Sequence, residues 1–440
     1  MSRPSRVTTE PTGGDGEYAA LLTRLFAARR AGIVFGLDRV AAVLARLGHP
    51  ERRLGTVAHV GGTNGKGSTA VMVAAMARAA GRRTALYTSP HLASLRERFV
   101  VDGELASEAA VVAAAARVAA AGGDTLTFFE QVTAIAFVLF ADASVEVAVI
   151  EVGLGGRLDA TSVIEAPVAA VTGVAMDHQD MLGDSLAAIA GEKAGIWRRG
   201  QRVVIGCAGE PEAVPWLRDA AVAAGAASVR VVSEEDVARV VAADVGLLGE
   251  HQRVNAACAV AVMEAMADVD ATMRMTEEAR AAALREVAHP GRLEIVSERP
   301  AVLLDGAHNP HGAAALARFL AERAERPRVL VLAVSGDKDV RRIVTPLVGV
   351  VEMVVASRYD QPRALAVSEL AALVREVGGG GVICEEAATL SAAVDRARVV
   401  AGEEGLVVVG GSLMAVGEVR PWFRVMARDP MVVSDPGPRS

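Results

Sequence analysis

The nine residues Gly61–Thr69 read GGTNGKGST, four glycines and a lysine between an apolar run, TVAHV, and a helical pattern, STAVMVAAMARAAG. Glycines at a strand-to-helix junction let backbone N–H groups wrap a phosphate, while the helix N-terminus adds its dipole and Lys66 a charge. Measured against the common spacing G-x-x-x-x-G-K-[ST], Gly65 and Lys66 fall into place. Val60, however, stands at the first glycine, and Gly67 where a hydroxyl residue belongs. The physical requirement is met all the same, because a plain turn needs one or two glycines and no lysine. Thr63, Asn64, Gly65, Lys66, Gly67 and Ser68 are the expected phosphate holders, with the helix starting near Ser68.

Other chemistry-bearing residues follow apolar runs. Glu151 ends VEVAVIE and precedes the glycine-rich GLGGR with Arg157; Asp177 and His178 follow AAVTGVAM; Asp305 ends AVLLD. Open α/β sheets bind ligands beyond the carboxyl ends of their strands, so each is a crevice candidate. A strand-end carboxylate beside a phosphate loop suits Mg²⁺, which takes oxygen ligands and keeps waters and phosphates in its shell. Lys193, in GEKAGI, reads by default as a solvated helix lysine.

Elements that must carry these residues alternate along the 440-residue chain, short β-rich runs between helix-length segments. Such alternation predicts βαβ units and parallel sheets covered on both faces. The Pro and Gly of His289–Arg292 (HPGR) punctuate a boundary, after which the rhythm starts afresh. The expected fold class is α/β. Residues 1–295 form an N-terminal P-loop-type domain with a mostly parallel sheet, residues 296–440 a smaller C-terminal Rossmann-like domain, and residues 1–20 a disordered leader. Aromatics are only 3% of a chain that is 52% hydrophobic, so Ala, Val and Leu must build the core.

The net charge of −7 argues against a general nucleic-acid surface. No apolar run is long enough for a membrane span, and the first twenty residues contain no signal-peptide core. Cys207, Cys258 and Cys384 share no metal-like spacing and are expected to be buried free thiols in a reducing compartment. A cytoplasmic protein is the expectation.

The segments GGTNGKGST, YTSPHL, TFFEQVTAIAF, IEVGLGGRLDAT, MDHQDMLG, IAGEKAGI, GEHQRVNAA, HPGRLE, LDGAHNPHG, SGDKD and GGSLMAVGEVR, in this order, resemble the folylpolyglutamate synthase/dihydrofolate synthase family of the Mur ligase superfamily. The likeness runs from about Phe35 to Arg420. It implies an ATP-dependent ligase that joins L-glutamate to folates and dihydropteroate through an acyl phosphate, working as a monomer. It also implies two Mg²⁺ ions and, as an accessory, a monovalent cation. Carried over residue by residue, metal ligation falls on Ser89, Glu151 and His178, and Lys193 becomes a carbamate. Asn255 contacts adenine, Arg292 reaches the γ-phosphate and Asp305 takes the ribose hydroxyls. His308 and Ser412 line the place where the amine arrives. Thr127, Phe128, Phe129 and Glu130, with Leu158, Asp159 and Ala160, match the pteroate-contacting segments; the two phenylalanines read equally as core.

Two rival readings are a cell-wall Mur ligase and an ATP-binding module without chemistry. The first normally carries a further N-terminal domain, for which the stretch before the loop is too short. The second predicts ATP binding without glutamate-dependent ADP release.

Overall fold

The computed structural model describes residues 15–28, 32, 34, 36–426, 428 and 429. The Val- and Ala-rich runs form two sheets. In the first, β1 (Thr56–Gly61), β2 (Thr84–Tyr87), β3 (Phe99–Val101), β4 (Glu104–Leu105), β5 (Val147–Glu151), β6 (Val168–Val171), β7 (Arg202–Ile205) and β8 (Ser228–Val231) lie in the order β4-β3-β2-β5-β1-β6-β7-β8. All neighbours are parallel except β2/β3 and β3/β4. The second holds β9 (Glu294–Glu298), β10 (Ala301–Leu304), β11 (Arg328–Leu332), β12 (Met353–Ala356), β13 (Ile383–Glu386) and β14 (Leu406–Gly410), ordered β13-β12-β11-β14-β10-β9. There only β9/β10 is antiparallel.

Because β5, β1 and β6 run parallel side by side, their carboxyl ends open on one edge. That edge carries Glu151, the phosphate loop and the segment leading to Asp177. In the second sheet β11, β14 and β10 are likewise adjacent, and their carboxyl ends deliver Lys338, Ser412 and Asp305. Fold topology thus gathers residues that are hundreds of positions apart.

Small side chains allow close packing on the first sheet. Helix Lys66–Ala79 lies against helix Glu250–Ala267, whose Ala256, Ala257, Ala259 and Ala261 are all buried. Helix Phe128–Asp142 is apolar nearly all round and buried along its length, as such a helix must be. Between the domains, Leu92 of the first packs in the core of the second beside Val416.

Three expectations need correction. Residues 15–20 are not leader: helix Asp15–Ala28 buries Tyr18, Leu21, Leu22 and Leu25 in the first core, because its apolar residues share one face. Residues 1–14, like Phe35, lie outside the described residues. A boundary at 295/296 would cut β9, which starts at Glu294, so the sheets divide within the preceding HPGR segment. Of the cysteines only Cys258 is buried; Cys384 is partly so, and Cys207, in the loop after β7, is exposed, all three being free. Among the described residues no helix is long and apolar enough to cross a membrane.

Leu22→Ala should destabilise the first domain by about 2–5 kcal/mol, the range for a fully packed leucine. A urea titration reads it; an unchanged midpoint would mean that the helix is not docked.

Candidate active site

The two carboxyl edges face each other across a cavity of about 640 Å³. The phosphate loop enters it from β1. Gly62 (φ +138°) lies so close to Thr172 that a Cβ would stand 2.0 Å from Thr172 Oγ1, and at Gly65 (φ +81°) a Cβ would meet Asn255 Oδ1 at 2.2 Å. The helix begins at Lys66, two residues ahead of the expected start. From below, Thr63 N donates to Gly173 O at 2.9 Å and Thr172 Oγ1 to Asn64 O at 2.6 Å. Lys66 Nζ donates to Thr63 O at 3.3 Å.

Glu151 is buried, and its Oε2 accepts from Ser89 N at 2.9 Å. Burial pushes its carboxyl up, opposed by Lys66, the Ser89 N–H and Arg292. Lys66 and Arg292 therefore both act on one carboxylate, the place where a phosphate or cation would share the charge. His178 sits at φ +51°, and burial pulls its imidazole down to about 4, so it is neutral at pH 7 with a lone pair to offer. Burial would raise Asp177, but His178, Lys338, His308 and the Asn309 amide outweigh it and hold the carboxyl well below its usual range.

The default reading of Lys193 fails. Its side chain is buried on helix Leu186–Ala194, and Nζ donates to Gly62 O at 3.0 Å. Burial, with Lys66 nearby, lowers its amine to about 7. The chain has 46 lysines and arginines, of which only Lys66, Lys193 and Lys338 are lysine, and all three line this cavity.

From the second domain, Asp305 Oδ2 accepts from Leu293 N and Oδ1 from Ala307 N, both at 2.9 Å. Burial raises its carboxyl and Arg292 opposes this. His308 Nδ1 lies 2.8 Å from Gly306 O, a partner that can only accept, so Nδ1 carries the proton and Nε2 is the acceptor. Ser412 lines the cavity while capping helix Leu413–Val419. Asn255 donates to Gln252 Oε1 at 2.9 Å.

On the pteroate side the expected set divides. Thr127, Phe129, Glu130, Leu158, Asp159 and Ala160 line the cavity. Phe128 does not: it is fully buried in the core, with the Arg98 guanidinium 5.5 Å over its ring. Consecutive helix residues point about 100° apart, and here that turn brings Phe129 to the cavity while Phe128 faces the core. Thr127 and Glu130 form a capping box for helix Phe128–Asp142, and Glu130 also takes Arg39 Nη2 at 2.9 Å. Asp159 accepts from Leu154 N and from Thr161. These three polar side chains are thus already engaged in holding the wall. Sequence reasoning missed Lys338, Asn309 and His311, though SGDKD and LDGAHNPHG contain them.

Among the described residues no three of His, Cys, Asp and Glu stand close enough to hold a metal ion between them. Glu151 with the Ser89 hydroxyl nonetheless supplies hard oxygen donors beside a phosphate loop, and Mg²⁺ usually takes one or two carboxylates with phosphates and waters. The donor chemistry fits.

Residues 60–263 match the Mur ligase middle domain and residues 291–413 the Mur ligase glutamate ligase domain. The dihydrofolate synthase/folylpolyglutamate synthase of Mycobacterium tuberculosis (strain ATCC 25618 / H37Rv) is 38% identical over 445 residues, covering 90% of this chain and 90% of that one. The chain belongs to that family of Mur ligases. As a folylpolyglutamate synthase/dihydrofolate synthase family member it is an ATP-dependent ligase. The solved Mycobacterium tuberculosis folylpolyglutamate synthase complexed with ADP gives a TM-score of 0.85 at 36% identity, covering 95% of this chain and 100% of that chain. A bifunctional folylpolyglutamate synthase/dihydrofolate synthase with Mn, AMPPNP and L-glutamate bound gives 0.81 at 30%, covering 94% and 99%. The second matched domain starts at Gly291, inside the segment where the two sheets of this synthase divide.

With lysine labelled at Cε, three resonances report the three amines. In CO₂-free buffer the Lys193 signal should titrate near pH 7. Since an unfolded lysine keeps its proton up to its ordinary 10.5, stability should rise with pH between about 7 and 10.5. A Lys193 signal unmoved below pH 9 would refute the burial argument.

Proposed function

We propose that this synthase passes the γ-phosphoryl group of ATP to a carboxylate of dihydropteroate or of a reduced folate, then joins that carbon to the amine of L-glutamate. The observation that carries the reading is that Lys66, Arg292, Glu151 and the low-pKa Lys193 line one cavity between two strand-end edges. The nucleotide, Mn and L-glutamate bound to the bifunctional relative support the ATP, divalent-metal and glutamate parts. The name of the Mycobacterium tuberculosis relative supports both folate-side substrates.

A carboxylate is a poor acylating agent, and phosphorylation supplies its leaving group. The carboxylate oxygen attacks the γ-phosphorus as ADP departs. The glutamate amine then attacks the acyl carbon, phosphate leaves and the amine loses a proton. Gly62–Ser68 cradle the β- and γ-phosphates, with Lys66 and Arg292 neutralising the charge that gathers on the transferring group. Ser89, Glu151 and neutral His178 would hold Mg²⁺. Lys193, whose amine burial leaves unprotonated more readily than a surface lysine's, would attack CO₂ and release a proton to become a carbamate, an anionic oxygen donor that would suit a second ion. When bound, the two ions would neutralise phosphate charge. Asn255 reads adenine, and the remaining Asp305 lone pairs accept the ribose hydroxyls. His308 Nε2 and Ser412 receive the amine, and Phe129, Leu158 and Ala160 form the pteroate wall.

Both domains of one chain build the site, which supports action as a monomer. The reading places the enzyme in the cytoplasm, where ATP is at hand. A monovalent cation is an accessory whose role is read by adding K⁺ to the assay.

Lys66→Ala should abolish turnover and leave the fold intact. Wild-type glutamate-dependent ADP release by the purified variant would sink the loop's role. With ¹⁸O in the reacting carboxylate, and dihydropteroate and tetrahydrofolate offered separately, one label should reach inorganic phosphate per amide from each. Label in AMP would point to adenylation instead, and no amide from dihydropteroate would leave folate glutamylation alone.

A further inference from the structure

A set of polar links crosses the cleft that the reaction does not account for. Asn309, buried in the second domain, caps helix Pro310–Glu322 through Oδ1, which accepts from Gly312 N at 2.8 Å. Its Nδ2 reaches the first domain twice, donating to Asn64 Oδ1 at 2.9 Å and to Asp177 Oδ2 at 3.0 Å. Asn64 Nδ2 returns to His311 Nδ1 at 3.2 Å. Lys338 Nζ donates to the other Asp177 oxygen at 3.1 Å, and both side chains are nearly buried. Apart from the cap to Gly312, each of these links joins one domain to the other.

The targets lie at the phosphate site. Asn64 belongs to the loop, whose neighbour Thr63 exchanges hydrogen bonds with Ala175 (Oγ1 to O at 3.2 Å, N to Oγ1 at 3.0 Å). Asp177 stands two residues beyond that brace. Lys338 comes on a tethered turn: Ser335 Oγ lies 2.6 Å from Tyr359 Oη, and Gly336 N donates to Arg363 O at 2.9 Å. Among the described residues, every other ion pair uses arginine or histidine as the base; this one uses one of the three lysines. A compact ammonium fits a buried single carboxylate oxygen where a planar guanidinium would not.

We propose that Asn309 and Lys338 are positioning residues: from the second domain they hold Asn64 and Asp177, so that the phosphate loop takes its working shape only with the domains shut. Closure and phosphate holding are then one event. Open domains would leave the loop braced from one side alone. The inference rests on the proposed function only in its turnover arm.

The test uses the full chain carrying Asn309→Asp. A carboxylate still caps the helix, yet it cannot donate and it repels Asp177. Thermal midpoint should stay near wild type. MgADP affinity by calorimetry should fall about 10-fold, within the usual range for coupling between sites. In scattering with MgADP the radius of gyration should exceed that of wild type. Turnover should fall about 100-fold, the scale expected of a slightly misplaced reacting group. Adding Asp177→Asn restores a donor facing an acceptor and should recover part of the MgADP affinity. If Asn309→Asp does not fold, Asn309→Ser keeps the cap and carries the same test. Wild-type MgADP affinity and compactness in the cap-preserving variant would reduce Asn309 to a helix cap and overturn the proposal, as would a loss that Asp177→Asn leaves wholly unrepaired. A wild-type protein that glutamylates neither substrate would defeat the proposed function, while the MgADP arm would still decide the joint.

Discussion

The glycines of a phosphate loop have no side chains with which to hold its shape. Gly62–Gly67 takes its form from what presses on it, and the rest of the molecule is arranged around that need. Thr172 stands under Gly62, Asn255 against Gly65, and the backbone of Gly173 under Thr63. These neighbours come from two distant parts of the chain, the segment after β6 and helix Glu250–Ala267. From the first domain's side the loop is braced by the packing of β6 and helix Glu250–Ala267 around β1, where packing between alanines sets how closely they approach.

Charge follows from the same crevice. Taking Glu151, Asp177, Asp305, Lys66, Lys193 and Lys338 out of water would be costly if each stood alone. They are placed instead so that cations and carboxylates from both domains offset one another, with Arg292 acting on Glu151 and Asp305 alike. Lys193 is the exception, since it donates to a carbonyl and has a cation beside it. Its amine gives up its proton more readily than that of a surface lysine. Burial does for Lys193 what no neighbour in sequence could do.

The linking segment completes the arrangement. HPGR joins the sheets and also touches the loop: His289 Nδ1 lies 3.2 Å from Ser68 Oγ, and Arg292 N donates to His289 O. The segment connecting the domains thus braces the loop through His289 and contributes Arg292 to the cavity wall.

Much of this was legible in the residues. The βαβ alternation determined two α/β domains, because periods of burial in strands and helices depend on local pattern alone. Glycines with Lys66 marked a phosphate loop despite the irregular spacing, and Glu151 and Asp305 announced themselves by ending apolar runs. Ordered motifs supplied the family. Tertiary structure alone decided the remainder. Whether Phe128 or Phe129 faces the cavity depends on how helix Phe128–Asp142 is rotated in its layer. The leader reading failed at residue 15 because the face formed by Tyr18, Leu22 and Leu25 has meaning only against a core it can cover. Lys193 looked solvated because burial is not a local property. Lys338 and Asn309 stayed hidden because their partners, Asp177 and Asn64, are over a hundred residues away in sequence, and only the facing of two sheet edges brings them within a hydrogen bond.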